Sequence, residues 1–209
     1  MLSLVCCYYD SWEALMWQKE NLINSELDIV IVDDHSPEPL SIEWANVYRM
    51  KNDIFFNLDA VNLGVLKAKC DKIFRFDLDH RADYKAISEI EIPEKTIYQF
   101  NRLSGDKNLA PNPSHILINK DDFIKIGGWN TIYSGHYGMC DNDFIRRAIK
   151  MGYNIEISHI KIEVNSSLGT KNIKRDASRN KEIFLSNPHC ITNWNIEFET
   201  INELNKKIK

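Results

Sequence analysis

The chain opens on an uninterrupted apolar run at residues 2–9, and from there Trp12, Leu15, Met16, Leu22 and Ile23 recur at helical spacing. A second run, residues 29–32, is β-branched throughout. A short β-branched run between helical segments reads as a strand buried on both faces, so the order strand, helix, strand predicts an α/β fold whose sheet is parallel at its start. Residues 54–56 and 72–76 read as further strands, and residues 65–70 as a helix entered through Asn62, Leu63 and Gly64. Residues 114–118 predict another strand, and residues 120–125 a short helix closed by Gly127 and Gly128, the usual punctuation past a helix end. A helix from Asp141 to Lys150, stopped by Gly152, precedes an alternating strand at residues 155–162. The remainder, residues 171–209, is polar, rich in Asn and Lys, and predicts a helical tail. With no internal repeat and no linker, the 209 residues are expected to form one domain.

Carboxylates gather where the apolar runs stop. Asp33 and Asp34 end the β-branched run, at the C-terminal edge of a strand, which is where open α/β sheets bind ligands. Asp77 and Asp79 end the strand at 72–76. In an extended segment alternate side chains project to one side, so these two are expected to converge on one cation, and hard divalent ions such as Mg2+ and Mn2+ take oxygen ligands and bridge carboxylate to phosphate. Asp141 and Asp143 fall in the first turn of a predicted helix, where the helix dipole favours negative charge without any further role.

The formal charge of −4 and the absence of a basic block before Lys206, Lys207 and Lys209 argue against nucleic acid as a partner. Five cysteines without a CxxC pair fit neither a disulfide framework nor a zinc site, which points to a reducing, cytoplasmic location. The first apolar run lacks a basic lead-in and a cleavage pattern, and no stretch approaches the ~18 apolar residues of a membrane span, so no membrane insertion is expected.

The elements that narrow the function come in a fixed order: Asp33, Asp34, His35 and Ser36; Asn62, Leu63 and Gly64; Asp77, Leu78 and Asp79; Gly127, Gly128 and Trp129; then Gly138, Met139, Cys140, Asp141, Asn142 and Asp143. This ordered set resembles a GT-A glycosyltransferase of the large inverting family 2, and the segment from Trp129 to Phe144 is similar to its galactosyl- and N-acetylgalactosaminyltransferase type. The resemblance covers residues 2–153 and implies a Rossmann-like, mostly parallel sheet flanked by helices. It implies a nucleotide- and metal-binding half at residues 1–80, an acceptor and catalytic half at 81–170, and a tail beyond. By the same resemblance Asp33 or Asp34 contacts the base or ribose, with Tyr8, Asn62, Gly64 and Lys69 around the nucleotide. Asp77 and Asp79 bind donor and metal, with His159 as the further ligand, and Asp141 is the catalytic base. Trp129, His136 and Tyr137 face the acceptor, and Trp129 either stacks on a sugar ring or caps the core. The implied reaction moves a hexose or N-acetylhexosamine from a UDP-sugar to a glycan acceptor with Mn2+ or Mg2+.

The sequence departs from the family pattern where Cys140 replaces Glu, where Lys69 and Cys70 replace Arg and Asn, and where the stretch from Asn62 to Asp77 is short. Two other enzyme classes compete. A haloacid-dehalogenase-type phosphatase also uses a DxD motif, but after its first strand and with Thr or Val where Arg81 stands here. A nucleotidyltransferase would carry a glycine-rich basic loop after the first strand, which residues 8–12 lack. The non-enzymatic alternative is a domain that binds sugar nucleotide or glycan without turnover.

Overall fold

The computed structural model describes residues 1–54, 57–168, 175–192 and 194–200. Residues 55 and 56 of the predicted strand at 54–56, and residues 171–174, 193 and 201–209 of the predicted tail, lie outside them. The chain runs β1 (Leu2–Tyr8), α1 (Trp12–Ile23), β2 (Asp28–Asp33), β3 (Asn46–Met50), α2 (Asp59–Lys67) and β4 (Lys72–Arg75). Strands β3, β2, β1 and β4 lie side by side in that order and all parallel. The order reverses between β1 and β4, and in a doubly wound sheet the crevice at that reversal is where ligands bind.

The second half turns the sheet mixed. It comprises β5 (His80–Arg81), α3 (Tyr84–Glu89), β6 (Thr96–Ser104), β7 (Lys107–Leu109), β8 (Ile116–Asn119), α4 (Lys120–Ile126), α5 (Cys140–Lys150), β9 (Asn154–Val164), α6 (Ser178–Leu185) and β10 (Phe198–Thr200). Strand β8 joins β4 antiparallel, β6 joins β8 antiparallel, and β9 runs parallel to β6. The result is a single α/β domain with a sheet ordered β10-β3-β2-β1-β4-β8-β6-β9-β5. β10 pairs antiparallel with β3, and Ile196 and Trp194 pack on the core, so the C-terminal segment is part of the sheet and core as well as helical.

Helices cover both faces. Leu2, Leu4, Cys6 and Tyr8 of β1 face one core with α1 and α3, while Val5 faces the other with α2, α4 and α5. That two-sided burial is why the first run is continuously apolar.

Helix α2 starts earlier than its sequence suggests and holds Asn62 and Gly64 inside it, where both are buried. A glycine in a helix interior costs about 1 kcal/mol against alanine. Here a Cβ on Gly64 would lie 2.5 Å from Val5 Cγ1, so the close approach of α2 to β1 requires it.

Candidate functional site

A cleft of about 430 Å³ opens at the C-terminal edge of β1, β2 and β4. Tyr8, Asp34, Arg75, Asp77, Asp79, Trp129, Tyr137, Cys140 and Asp141 all contribute to its lining, together with Ser114 and His80. The residues reach it from the ends of three strands, the DLD turn, the loop after α4 and the start of α5.

The DLD segment is a turn rather than an extended strand end. The buried Gln18 amide donates to the carbonyls of Leu78 and His80 and is itself held by the Tyr84 hydroxyl at 3.1 Å. Asp77 and Asp79 both line the cleft and have different nearest partners. Asp79 Oδ1 lies 2.7 Å from Nδ1 of His80. Asp77 instead meets two imidazoles from different elements: among the described residues, Asp77, His80 and His115 form a group whose ligand atoms lie within 4.8 Å of one another and could hold a metal ion. The antiparallel register of β4 and β8 pairs Arg75 with Ile116, which sets His115 beside the turn. His80 Nε2 is buried and unpartnered, as a ligand nitrogen awaiting an ion would be. Two imidazoles and a carboxylate suit a borderline divalent ion.

Arg75 is 9% exposed and donates to Asp77 Oδ1 at 2.7 Å and to the Ser114 carbonyl at 2.7 Å. Burial alone would raise the Asp77 carboxyl, but Arg75, the two histidines and the Ser114 hydroxyl hold it well below the usual carboxylate range. Burial pushes His115 down to about 3. In the same cleft, burial raises the Asp141 carboxyl while the charge of Arg75 pulls it back. Trp129 Nε1 donates to Asp141 Oδ1 at 3.0 Å, and the Cys140 thiol donates to the same oxygen at 3.5 Å. Burial keeps that thiol protonated, so Cys140 is a neutral donor to Asp141.

Trp129 has no exposed face for a sugar. It is fully buried, stacked on Phe123 and Phe144 at 5.4 and 4.6 Å, and its backbone is gripped at both ends by the Asn62 amide at 2.8 and 2.9 Å. Asn62 thus shapes the loop that carries Trp129 and lies behind the cleft wall. Gly128 adopts φ +61°, and a Cβ there would meet Asn62 Oδ1 at 2.6 Å, so both the turn and the packing require glycine. Asp143, also fully buried, is bound by Arg146 at 2.7 Å and Arg147 at 2.8 Å, and Arg147 continues to the Ile126 and Gly128 carbonyls. Its role is structural.

Several expected site residues lie elsewhere. Asp33 is fully buried and spent on Ser36 N, Leu40 N and Arg49, which leaves Asp34 as the carboxylate of that pair in the cleft. Burial raises Asp34 to about 7 against the hydrogen bond from Asn57 N. Gly64 lies within α2 on the face packed against Val5 of β1, and Lys69 is at the opposite edge of the sheet, where its backbone N–H binds Asp28 at the start of β2. His159 is exposed on β9 and does not line the cleft, and the imidazoles near Asp77 are His80 and His115 instead. His136 is exposed and contributes its carbonyl to Asn180, whereas its neighbour Tyr137 lines the cleft under Arg175, whose guanidinium is 5.9 Å from the ring. Sequence reasoning passed over Arg75, Ser114 and His115, and the one signal for them was a polar pair opening the predicted strand at 114–118.

No protein-family model matches the chain, and no curated protein matches its sequence. Solved structures do share its fold. S. aureus TarS, residues 1–349 in complex with UDP-GlcNAc, superposes with a TM-score of 0.62 at 10% identity, over 82% of this chain and 61% of TarS. GalNAc-T7, crystallised with UDP, GalNAc and Mn2+, superposes with a TM-score of 0.65 at 14% identity, over 90% of this chain and 48% of that one. The chain thus has the GT-A glycosyltransferase fold and spans between half and three-fifths of the length of these two structures.

Proposed function

We propose that this chain, a domain of the GT-A glycosyltransferase fold, transfers a hexose or N-acetylhexosamine from a UDP-sugar to a glycan hydroxyl, with inversion at the anomeric carbon and with a divalent cation. One observation carries the reading: Asp77, His80 and Asp141, the last oriented by Trp129, line one cleft at the sheet's reversal point, with His115 beside Asp77. The UDP-sugar and UDP–Mn2+ complexes of the two like-folded proteins support the choice of donor and cofactor.

In this reaction the acceptor oxygen attacks the anomeric carbon as the bond to the diphosphate oxygen breaks, and the pair of electrons leaves with UDP. Asp141 accepts the proton of the attacking hydroxyl. Its burial strengthens it as a base, and the Trp129 indole fixes one oxygen so that the other faces the cleft. Arg75 supplies a fixed positive charge beside the place where the diphosphate must sit. Asp77 with His80 and His115 would hold a divalent cation, and the chemistry such an ion would supply is to offset the charge that builds on the leaving group. Asp34 and Tyr8, at the ends of β2 and β1, line the nucleoside end, and Tyr137 is available to the acceptor. Five free cysteines fit a reducing, cytoplasmic setting.

The test is UDP release from UDP-glucose, UDP-galactose and their N-acetylhexosamine counterparts, with Mn2+ or EDTA, over a panel of oligosaccharide acceptors, followed by NMR of the product's anomeric configuration. Transfer of one sugar with Mn2+ only, with inverted configuration, is expected. Nucleotide binding without release of UDP from any donor would make the chain a sugar-nucleotide-binding domain.

A further inference from the structure

The hydrogen bonds around Asp77 fix the tautomers of both imidazoles beside it. Ser114 Oγ has one proton and two partners, Asp77 Oδ2 at 2.9 Å and His115 Nδ1 at 3.0 Å. A carboxylate only accepts, so the hydroxyl donates to Asp77 and the proton of the other contact belongs to His115 Nδ1. The backbone N–H of Asp77 faces His115 Nε2 at 3.5 Å, which agrees with a lone pair on that nitrogen and is a contact long enough to be given up to an ion. By the same reasoning the 2.7 Å contact between His80 Nδ1 and Asp79 Oδ1 places a proton on Nδ1 and leaves the lone pair on the buried, unpartnered Nε2.

Two imidazole lone pairs and a carboxylate oxygen therefore lie together, with Arg75 engaged on Oδ1, the other oxygen of Asp77. Of these acceptors His80 Nε2 is buried with no hydrogen-bond partner, and a cation on their shared side would supply one. Mg2+ prefers an all-oxygen octahedral shell, whereas imidazole nitrogen suits first-row transition ions.

We propose that Asp79 and Ser114 are positioning residues that hold His80 and His115 as Nδ1–H tautomers, so that with Asp77 they form a two-nitrogen, one-carboxylate site selective for Mn2+-class ions over Mg2+. Asp79 acts on the ion through His80 and does not ligate it. The inference deepens the cation site of the proposed reaction and rests on that reading for the ion's role.

The experiment titrates the nucleotide-free full chain with Mn2+, followed by electron paramagnetic resonance of the free ion, and with Mg2+ in competition. Asp79→Ala is expected to weaken Mn2+ about 10–100-fold, as loss of an outer-sphere partner does. Asp79→Asn should keep most of the affinity, because its amide oxygen still accepts the Nδ1 proton, and Ser114→Ala should weaken binding like Asp79→Ala. Long-range 1H–15N spectra of the metal-free protein should show both histidines protonated on Nδ1, with His80 losing that preference in Asp79→Ala alone. Asp79→Asn as damaging as Asp79→Ala, an unaffected Asp79→Ala, or equal affinity for Mg2+ would each overturn the proposal. UDP binding measured in parallel separates the two readings. A normal Asp79 series without UDP binding upholds the site and removes the donor, and UDP binding with a flat Asp79 series does the reverse.

Discussion

The Trp129 indole N–H lies 3.0 Å from Asp141 Oδ1, while its ring packs in one aromatic cluster with Phe123 and Phe144. The tryptophan is thereby a core element whose single polar side-chain atom holds one oxygen of a carboxylate that lines the cleft. Asp141→Asn should then lower the transfer rate by about 10²–10⁴-fold, the usual weight of a general base, while nucleotide affinity and cooperative unfolding persist. Steady-state rates beside UDP binding check this.

Trp129→Phe keeps the stacking and removes the N–H. The hydrogen bond from Trp129 is one of the influences that lower the Asp141 pKa against its burial, so losing it raises that pKa further. The base works only when ionised, and the acidic limb of the kcat/KM profile should move to higher pH. A limb that stays in place would separate Trp129 from the proton transfer.

Asp34 supplies a pH signature of stability. Its folded-state pKa is about 7 against an ordinary 3.8, so between those values the folded state binds more protons than the unfolded chain. Stability contributed by this group therefore falls as pH rises from about 4 to 7, and is flat above. In urea unfolding across pH 4 to 8, Asp34→Asn should flatten that slope relative to the parent and compare best with it at pH 8. An unchanged slope would mean that the carboxylate ionises without penalty.

Gly64→Ala should destabilise by about 1–3 kcal/mol, since the new methyl meets Val5 Cγ1 at 2.5 Å. Combining it with Val5→Ala should cost less than the sum of the two single changes, which denaturant unfolding of the four proteins measures.

Much of the sheet's first half was legible because its signals are local. The two-sided burial of β1 and β2 writes itself as continuous apolar runs, and the helix at residues 12–23 stands out by its spacing. Strands β3 and β6, with polar residues such as Arg49, Gln99 and Arg102 inside them, carry no such mark. Gly64 hid the start of α2, because its presence answers to Val5 rather than to helix propensity. In the site, Asp77 stands out as a strand-end carboxylate, whereas Asp141 is singled out by the resemblance of its segment and not by its helix-start position. Their surroundings depend on contacts distant in sequence: the pairing of β4 with β8 that brings His115 to Asp77, the grip of Asn62 on Trp129, and the burial of Asp33 against Arg49. His159 looked better placed by order alone, yet β9 presents it to solvent.

The central claim is most directly tested by thermal unfolding of the protein with UDP, GDP, ADP and dTDP, each in Mn2+ and again in EDTA. A nucleotide at 100 times its dissociation constant adds about 2.7 kcal/mol of stability. The account predicts a clear upward shift with UDP in Mn2+, and little or none with the other nucleotides or in EDTA. A cooperative transition that no nucleotide moves in Mn2+ would contradict it.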